Sequence, residues 1–369
     1  MRKNDLMQPI PGASGTNVHT DKPALPNLDG IRAMAGLLVV LVHMPLHGLL
    51  ETVSAMGVGI FFVLSGFLMS YLYGLVPWDF RAVCRYGIAR FARIAPIYWL
   101  VISVCILISY SEPDSDFTQR IVGGVEIARH YLFIGSSGVF WSIPPEIQYY
   151  VFFLLIWWAI AHRSRLSFAL PIALLCSAFL LTHALWPGLA LPNKLHFFLA
   201  GSLAGLMPRA AWSETSDRVV LFGLQLGAVF CLVAPLWLYP SASEFYGTTE
   251  IAFALAVAVY LLSIPSRWTT FVFASPLPRK IGQASFSIYL MHQLVFHYGM
   301  RVLGLSPGRY APLWLLLGLA GVVLPMAASH YVEVPFSRMT RRFLEDICGL
   351  ASRPQLQSAK RVLAPTLKT

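Results

Sequence analysis

The chain has 369 residues, of which 57% are hydrophobic and only 12% are charged, and its formal net charge is +10. A soluble domain carries roughly 25% charged residues, so this chain could not cover a soluble surface. The composition excludes a soluble enzyme, a disordered scaffold, a coiled coil and a secreted disulfide module. It leaves an all-α, polytopic membrane protein.

Ten apolar runs have lengths close to the roughly 17 to 25 residues of a membrane-spanning helix. In chain order they are residues 31–50, 57–76, 94–110, 146–161, 166–186, 193–207, 219–239, 250–264, 285–304 and 312–333. We therefore expect a bundle of about ten transmembrane helices. The apolar stretch 120–134 carries charged residues and is interpreted as an interfacial or re-entrant segment.

The basic residues orient this bundle, because Lys and Arg accumulate in cytoplasmic loops. With the N-terminus in the cytoplasm, ten alternating spans place 22 of the 27 Lys and Arg residues on the cytoplasmic side. The outer side receives Arg120, Arg129, Lys194, Arg301 and Arg309. Both termini are therefore expected in the cytoplasm. The positive net charge is interpreted as the excess of basic residues that orients the helices in the membrane. No nucleic-acid partner is expected.

The expected organisation is a cytoplasmic tail over residues 1–27, a membrane domain over 28–335 and a basic cytoplasmic tail over 336–369. The basic tail is expected to lie on anionic lipid. The five cysteines are odd in number and widely spaced, so neither a disulfide framework nor a metal site is expected.

Ionisable side chains inside spans are costly and are functional candidates for that reason. Arg32 and His43 are eleven residues apart, close to three helical turns, so they share one stripe of the first span at a separation of roughly 16 Å. We expect Arg32 at the cytoplasmic mouth, His43 near the middle of the membrane and His47 one turn further on. The alternative is a buried histidine that a neighbouring carbonyl satisfies.

The fourth span opens with a polar face. Glu146, Tyr149 and Tyr150 share this face by their i, i+3, i+4 spacing, directly after two prolines that suit the first turn of a helix. The alternative is a glutamate stabilised by the helix dipole beside an aromatic belt.

The ninth span has a second polar stripe. Ser285, Tyr289 and His292 fall on one side of an otherwise apolar helix and point to a cavity. Hydrogen bonding between neighbouring helices is the alternative.

Arg90 and Arg93 lie between the second and third predicted spans, at the expected cytoplasmic boundary. Two guanidiniums on one helical face suit a phosphorylated ligand. Anchoring by positive charge alone is the alternative, and spacing by itself favours it.

Several segments, in this order, resemble the acyltransferase-3 family of integral membrane O-acyltransferases. The matching segments are residues 28–32 with His43 (Arg-x10-His), 59–67, 90–93 (Arg-x-x-Arg), 141–149, 285–292 and 331–335. They extend over most of the chain, from about residue 26 to residue 338. Residues 194–198 form a loose version of a segment that often reads Arg-x-Pro-x-Phe in the family.

The resemblance implies transfer of an acyl group, most simply acetyl, from acyl-coenzyme A to a hydroxyl group. The implied acceptor is a glycan, such as lipopolysaccharide, exopolysaccharide or a lipo-chitooligosaccharide, or a glycosylated metabolite. The implied location is the bacterial cytoplasmic membrane. Acetyl-coenzyme A would act as donor substrate, no tightly bound cofactor is expected, and the partners would be this donor, a carbohydrate or lipid-linked glycan and membrane lipid.

The resemblance also suggests roles for individual residues. His43 would be the general base or carry the acyl group, because a neutral histidine can take the proton of an attacking hydroxyl. Arg32 and Glu146 would complete the catalytic set, and Arg90 with Arg93 would hold the phosphates of coenzyme A. The candidates for substrate contacts are Asp29, Trp141, Tyr149, Ser285, Tyr289 and His292.

A transporter or flippase of glycans is the competing interpretation, because intramembrane His, Arg and Glu residues also line transport paths. The cytoplasmic arginine pair together with His43, without evident repeat symmetry, favours the acyltransferase.

Overall fold

The computed structural model describes residues 24–44, 51–208, 218–304 and 311–350. Within these ranges the chain is helical and has no β-strand, so the predicted all-α class is confirmed. The α-helices are α1 (Pro26–His43), α2 (Glu51–Tyr73), α3 (Phe80–Ser111), α4 (Gly124–Tyr131), α5 (Ile143–Ala161), α6 (Leu166–Thr182), α7 (Leu191–Leu206), α8 (Arg218–Leu238), α9 (Ala242–Gly247), α10 (Thr249–Ser263), α11 (Arg267–Phe273), α12 (Pro276–Gln283), α13 (Ser285–Leu303), α14 (Ala311–Ala328) and α15 (Val334–Ile347). Short 3-10 turns occupy Gly138–Ser142 and His183–Leu185, and a π-helical turn occupies Ser329–Glu333.

Six helical stretches in the described ranges are long and apolar enough to cross a membrane. They are Glu51–Tyr73, Phe80–Ser111, Gly138–Ala161, Leu166–Leu185, Arg218–Leu238 and Pro312–Ile347. The pair α10 and α11, which is bent by 103°, would make a seventh if it is one span. The chain is therefore a multi-pass membrane protein with six or seven candidate spans.

The other predicted spans correspond to α1, α7 and α13. Helix α7 has 16 residues, fewer than the roughly 20 that cross a bilayer. Helix α1 ends at His43, so this residue lies at the end of a helix and not midway along one, as the predicted span 31–50 implied. His47 lies outside the described residues. The expected interfacial stretch 120–134 contains the short helix α4.

Local sequence explains where several helices begin and end. Asp79 caps α3 by accepting a hydrogen bond from the backbone N–H of Ala82 at 2.8 Å. Prolines occupy the first turns of α1, α5 and α12, where a missing N–H is tolerated. Helix α13 ends at Gly304, whose φ of +61° is easily adopted by glycine.

The centre of the bundle is the close crossing of α2 and α7. A β-carbon on Gly201 would lie 2.0 Å from the carbonyl oxygen of Val63, and one on Gly205 would lie 2.3 Å from that of Phe67. The two backbones therefore meet where only glycine fits, as in small-residue contacts between membrane helices. Around this crossing, α1 packs against α2, α12 and α13, and α10 packs against α7 and α8.

Helix α6 contrasts with this core, because none of its residues is buried within the chain. Its apolar side chains, including Leu174 and Leu181, are exposed. An apolar helix with no buried face suits contact with lipid.

The π-helical turn joins α14 to α15 and carries a buried carboxylate. Glu333 accepts hydrogen bonds from Ser329 at 2.7 Å and from Ser287 of α13 at 2.6 Å. Helix α15 then packs along α3. The first part of the predicted C-terminal tail is thus a helix, and residues 351–369 lie outside the described ranges.

Candidate active site

A cavity opens between α1, α2, α3, α5 and α13. Its polar lining residues are Arg32, Ser65, Arg90, Arg93, Ser142, Glu146, Tyr150, Ser285 and Tyr289. The remaining lining residues are apolar, among them Phe61 and Phe62. The tertiary structure thus brings together six of the predicted site residues from four distant segments: Arg32, Arg90, Arg93, Glu146, Ser285 and Tyr289.

Three half-buried guanidiniums give this cavity its charge. Arg32 of α1 lies within electrostatic range of Arg90 and Arg93 of α3. The lining includes one carboxylate, that of Glu146, so positive charge exceeds negative charge. Such a cavity suits an anionic ligand.

Arg90 has unused hydrogen-bonding capacity. Its Nε is buried and has no hydrogen-bond partner among the described residues. Its guanidinium carbon lies 6.0 Å from the centre of the Tyr150 ring. This cation–π contact stabilises the charge but accepts no hydrogen bond from the N–H groups. Arg90 and Arg93 lie inside α3 and not in a loop between two spans.

Glu146, in the first turn of α5, is held by two hydroxyl groups. Ser65 of α2 donates to its Oε1 at 2.9 Å, and Tyr150 donates to the same oxygen at 2.5 Å. Glu146 and Tyr150, which the helical spacing placed on one face, are therefore in direct contact. The third member of the predicted face, Tyr149, points elsewhere: its hydroxyl pairs with that of Ser202 on α7.

His43 and His292 form a pair that the sequence did not indicate. Nε2 of His292 lies 3.3 Å from Nδ1 of His43, and the ring centres are 5.0 Å apart. Nδ1 of His43 also lies 2.8 Å from the carbonyl oxygen of Val39, and Nδ1 of His292 lies 3.0 Å from that of Ile288. Neither histidine lines the arginine-containing cavity directly, but Tyr289 lies between: it lines the cavity and its ring centre is 6.3 Å from that of His292.

The three members of the predicted stripe on α13 make different contacts, and two of them, Ser285 and Tyr289, line the cavity. The Tyr289 hydroxyl accepts a hydrogen bond from Ser142 at 2.8 Å and donates to the carbonyl oxygen of Val139 at 2.8 Å. Ser285 is 3% exposed and lines the cavity beside α1. Tyr289 therefore ties α13 to the 3-10 turn that precedes α5.

Two further candidates lie outside the cavity. Asp29 accepts a hydrogen bond from Gln283 at 3.2 Å and pairs with Arg279 at 3.8 Å, so it joins α1 to α12. Trp141 packs edge-on against Phe62, at 6.4 Å between ring centres, and against Tyr246 at 5.5 Å.

Ser65, Ser142 and Tyr150 are polar wall residues that no role was predicted for. Ser65 could be found only through its contact with Glu146, whereas the helical spacing already placed Tyr150 beside Glu146. No group of three or more His, Cys, Asp and Glu side chains in the described ranges is arranged to hold a metal ion.

The fold and the cavity define a multi-pass helical membrane protein with a cationic site near a histidine pair. A family model described as an acyltransferase domain, that of the acyltransferase-3 family, matches residues 25–330. The chain belongs to this family, and it is an acyltransferase. No solved structure matches the chain.

Three proteins with sequences similar to this chain are named as acyltransferases or O-acetyltransferases. The chain is 24% identical to the acyltransferase MdmB of Streptomyces mycarofaciens, over 82% of this chain and 87% of that protein. It is 23% identical to the peptidoglycan O-acetyltransferase OatA of Listeria monocytogenes serovar 1/2a, over 85% of this chain and 56% of that protein. It is 24% identical to a putative O-acetyltransferase of Staphylococcus aureus strain COL, over 74% of this chain and 51% of that protein. The chain thus spans about half the length of the latter two relatives.

Proposed function

We propose that the protein transfers an acyl group, most simply acetyl, from acyl-coenzyme A to a hydroxyl group of a glycan or a glycosylated metabolite. The observation that carries this proposal is that the His43–His292 pair lies close to the cavity with three arginines, with Tyr289 in contact with both. Coenzyme A has several phosphate groups, and the unpartnered Nε of Arg90 supplies a free donor to them. One relative is named for O-acetylation of peptidoglycan, which supports a glycan acceptor.

The hydrogen-bonding pattern gives His43 the tautomer that a base needs. Carbonyl oxygens only accept hydrogen bonds, so Nδ1 of His292 carries a proton toward Ile288 and its Nε2 has a free lone pair. Nδ1 of His43 faces two acceptors, the Val39 carbonyl and this Nε2, so it carries a proton as well. Nε2 of His43 is then the basic nitrogen.

In the proposed reaction this nitrogen takes the proton of the acceptor hydroxyl as its oxygen attacks the thioester carbonyl. The C–S bond breaks, coenzyme A leaves as a thiolate, and the proton on His43 passes to the sulfur. The histidine returns to its neutral state. In the covalent variant, Nε2 attacks the thioester first, the C–S bond breaks and coenzyme A leaves as a thiolate. The acceptor hydroxyl then attacks the acyl-imidazole, the C–N bond breaks to give the ester and free His43, and the hydroxyl proton passes to the thiolate.

The remaining residues of the cavity bind and orient. Arg90 and Arg93 hold the donor phosphates, and Arg32 either joins them or stabilises negative charge that develops on the thioester oxygen. Glu146 limits the excess positive charge and fixes α5 against α2 through its hydrogen bond with Ser65, while Tyr150 on α5 holds the carboxylate in place.

We further propose that ten spans cross the bacterial cytoplasmic membrane with both termini inside. The donor then enters from the cytoplasm, where acyl-coenzyme A is made. Helices shorter than a bilayer, such as α7, cross it as part of the packed bundle, where neighbouring helices cover their ends.

The proposal is tested with membranes from cells that express the protein, incubated with acetyl-coenzyme A labelled in the acetyl group. The expected result is label in the glycan fraction that mild alkali releases, as an ester requires. Membranes from cells that do not express the protein supply the background. Label that stays at this background in the glycan, lipid and small-molecule fractions would reject the proposal.

A further inference from the structure

A buried lysine lies outside the cavity, in the first turn of α7. Lys194 is only 5% exposed. Its Nζ lies 3.9 Å from the centre of the Tyr246 ring and 6.0 Å from that of Trp141. Within the described part of the chain, the ammonium forms no hydrogen bond and no ion pair. Lysine is almost never this buried without a partner.

The two aromatic rings stabilise the ammonium only in part. A cation over an aromatic face is attracted by the electrons of the ring, but this attraction is weaker than the penalty for removing an ammonium from water. An anion that binds beside Nζ would supply the missing partner. It would interact strongly there, because few water molecules screen the charges.

Two histidines next to Lys194 also have unused hydrogen-bonding capacity. His196 is 1% exposed, and its ring nitrogens make no hydrogen bond of regular geometry with the described residues, although the ring interacts with the backbone of Tyr246. Nδ1 of His183 is also buried and has no hydrogen-bond partner among the described residues. The ring centres of His183 and His196 are 4.9 Å apart. Buried polar atoms without partners are rare in folded proteins, so the ring nitrogens of these two histidines, together with the ammonium of Lys194, favour a polar ligand in this neighbourhood.

Trp141 connects this cluster to the cavity. Its neighbour in the same 3-10 turn, Ser142, lines the cavity, and so does Phe62, against which the indole packs. In the ten-span topology, the segments that carry Trp141, Lys194 and Tyr246 all meet at the outer end of the bundle. The guanidiniums of α3 belong to the cytoplasmic end.

We infer that Lys194, Trp141 and Tyr246 form an acceptor subsite for a sugar that carries an anionic group, either a carboxylate or a phosphate. The inference rests on the proposed function, because it identifies the class of acceptor. Nζ, which rests against the face of the Tyr246 ring, donates to the anion, and the Trp141 ring contacts the apolar face of the pyranose. The sugar hydroxyl that receives the acyl group then lies toward the cavity.

The test measures binding to the purified full-length protein in lipid nanodiscs, using methyl β-glucuronide, glucose 1-phosphate and methyl β-glucoside as probes. We expect wild-type protein to bind at least one of the two anionic probes about tenfold or more tightly than the neutral glucoside. The stronger anionic probe tells whether a carboxylate or a phosphate is recognised. Equal affinity for all three probes, or no binding of any, would overturn the inference.

Substitutions then identify the residue responsible. Lys194→Met should remove the preference for the anionic probe, and Lys194→Arg should retain it, because a cation remains. Arg120→Met removes another outer cation and should leave the preference unchanged. A preference that persists in Lys194→Met would overturn the inference. The proposed function is tested separately by binding of labelled acetyl-coenzyme A, which all of these variants should retain, since Lys194 does not line the donor cavity.

Discussion

Nε2 of His292 lies 3.3 Å from Nδ1 of His43, which joins the middle of α13 to the last residue of α1. Each ring is also fixed by a carbonyl one turn earlier in its own helix, that of Ile288 or Val39. The pair therefore fixes both the orientation and the tautomer of His43. If His43 gains a proton on Nε2, the His292 lone pair can stabilise the resulting imidazolium through Nδ1.

The first prediction concerns His43 as the reacting residue. His43→Gln keeps a polar side chain but has no useful basicity, so acyl transfer should fall by roughly 10²- to 10⁴-fold, as is typical when a general base is removed. An obligatory acyl-imidazole would make the loss nearly complete. The measurement is the initial rate at which the labelled acetyl group is transferred in membranes with matched protein levels. His330→Gln, at an exposed position, is the control and should be fully active. Near-normal turnover by His43→Gln would make His43 structural.

The second prediction separates positioning by His292 from catalysis by His43. His292→Phe removes the acceptor beside Nδ1 of His43, so kcat should fall by about ten- to hundredfold, the loss expected for one hydrogen bond to a charged group. The KM for the donor should stay unchanged, because His292 does not line the arginine cavity. His292→Gln keeps an acceptor oxygen and should recover part of the rate. If the Gln and Phe variants have equal rates, hydrogen bonding by His292 is not what supports the reaction.

The third prediction concerns the donor. Replacing Arg90 and Arg93 together by Ala should weaken the binding of acyl-coenzyme A at least about tenfold, because each charge-assisted contact contributes roughly 1.5–3 kcal/mol. Lys at both positions should restore binding in part, since the charge returns without the planar fork.

Titration of labelled donor onto purified protein measures this effect. The matched control removes two arginines from the same helix outside the cavity, by Arg81→Ala with Arg85→Ala. Unchanged donor affinity in the Arg90 and Arg93 double variant, with correct membrane insertion, would mean that the pair only anchors α3.

The fourth prediction concerns the helix crossing that supports the site. Gly201→Ala places a β-carbon 2.0 Å from the Val63 carbonyl oxygen, so α2 and α7 must separate. We expect a destabilisation of about 1–3 kcal/mol or more, as for other overpacked interiors. Thermal unfolding of the detergent-solubilised protein measures it. Gly223→Ala on α8 is the control, because no atom lies within 4 Å of the added carbon. Equal melting temperatures for the two variants would contradict this packing.

The fifth prediction concerns topology. Reporter fusions after residue 125 and at the C-terminus should score on opposite sides of the membrane, outer and cytoplasmic. A fusion after residue 164, in the predicted cytoplasmic loop that carries Arg163 and Arg165, should score with the C-terminus. Should the residue 125 and C-terminal fusions score on the same side, the ten-span arrangement is wrong.

Local properties of the sequence were sufficient for the class of the fold and for selecting several residues that line the cavity. Low charge and long apolar runs require helices in a membrane, because lipid cannot satisfy a free backbone group. The contact between Glu146 and Tyr150 followed from helical periodicity, since residues four apart lie on one face. The family was recognised from short segments, among them the Arg32–His43 spacing.

Other features depend on contacts between distant segments, which periodicity cannot show. The pairing of His43 with His292 joins residues 249 positions apart. Tyr149 shares a helical face with Glu146 by spacing, but its hydroxyl meets Ser202, because α7 packs close enough to α5 to receive it. Asp29 belongs to the same motif as Arg32, yet it pairs with Arg279 outside the cavity. The sequence determined which residues are polar in an apolar chain, and the packing of the helices decided which of them meet.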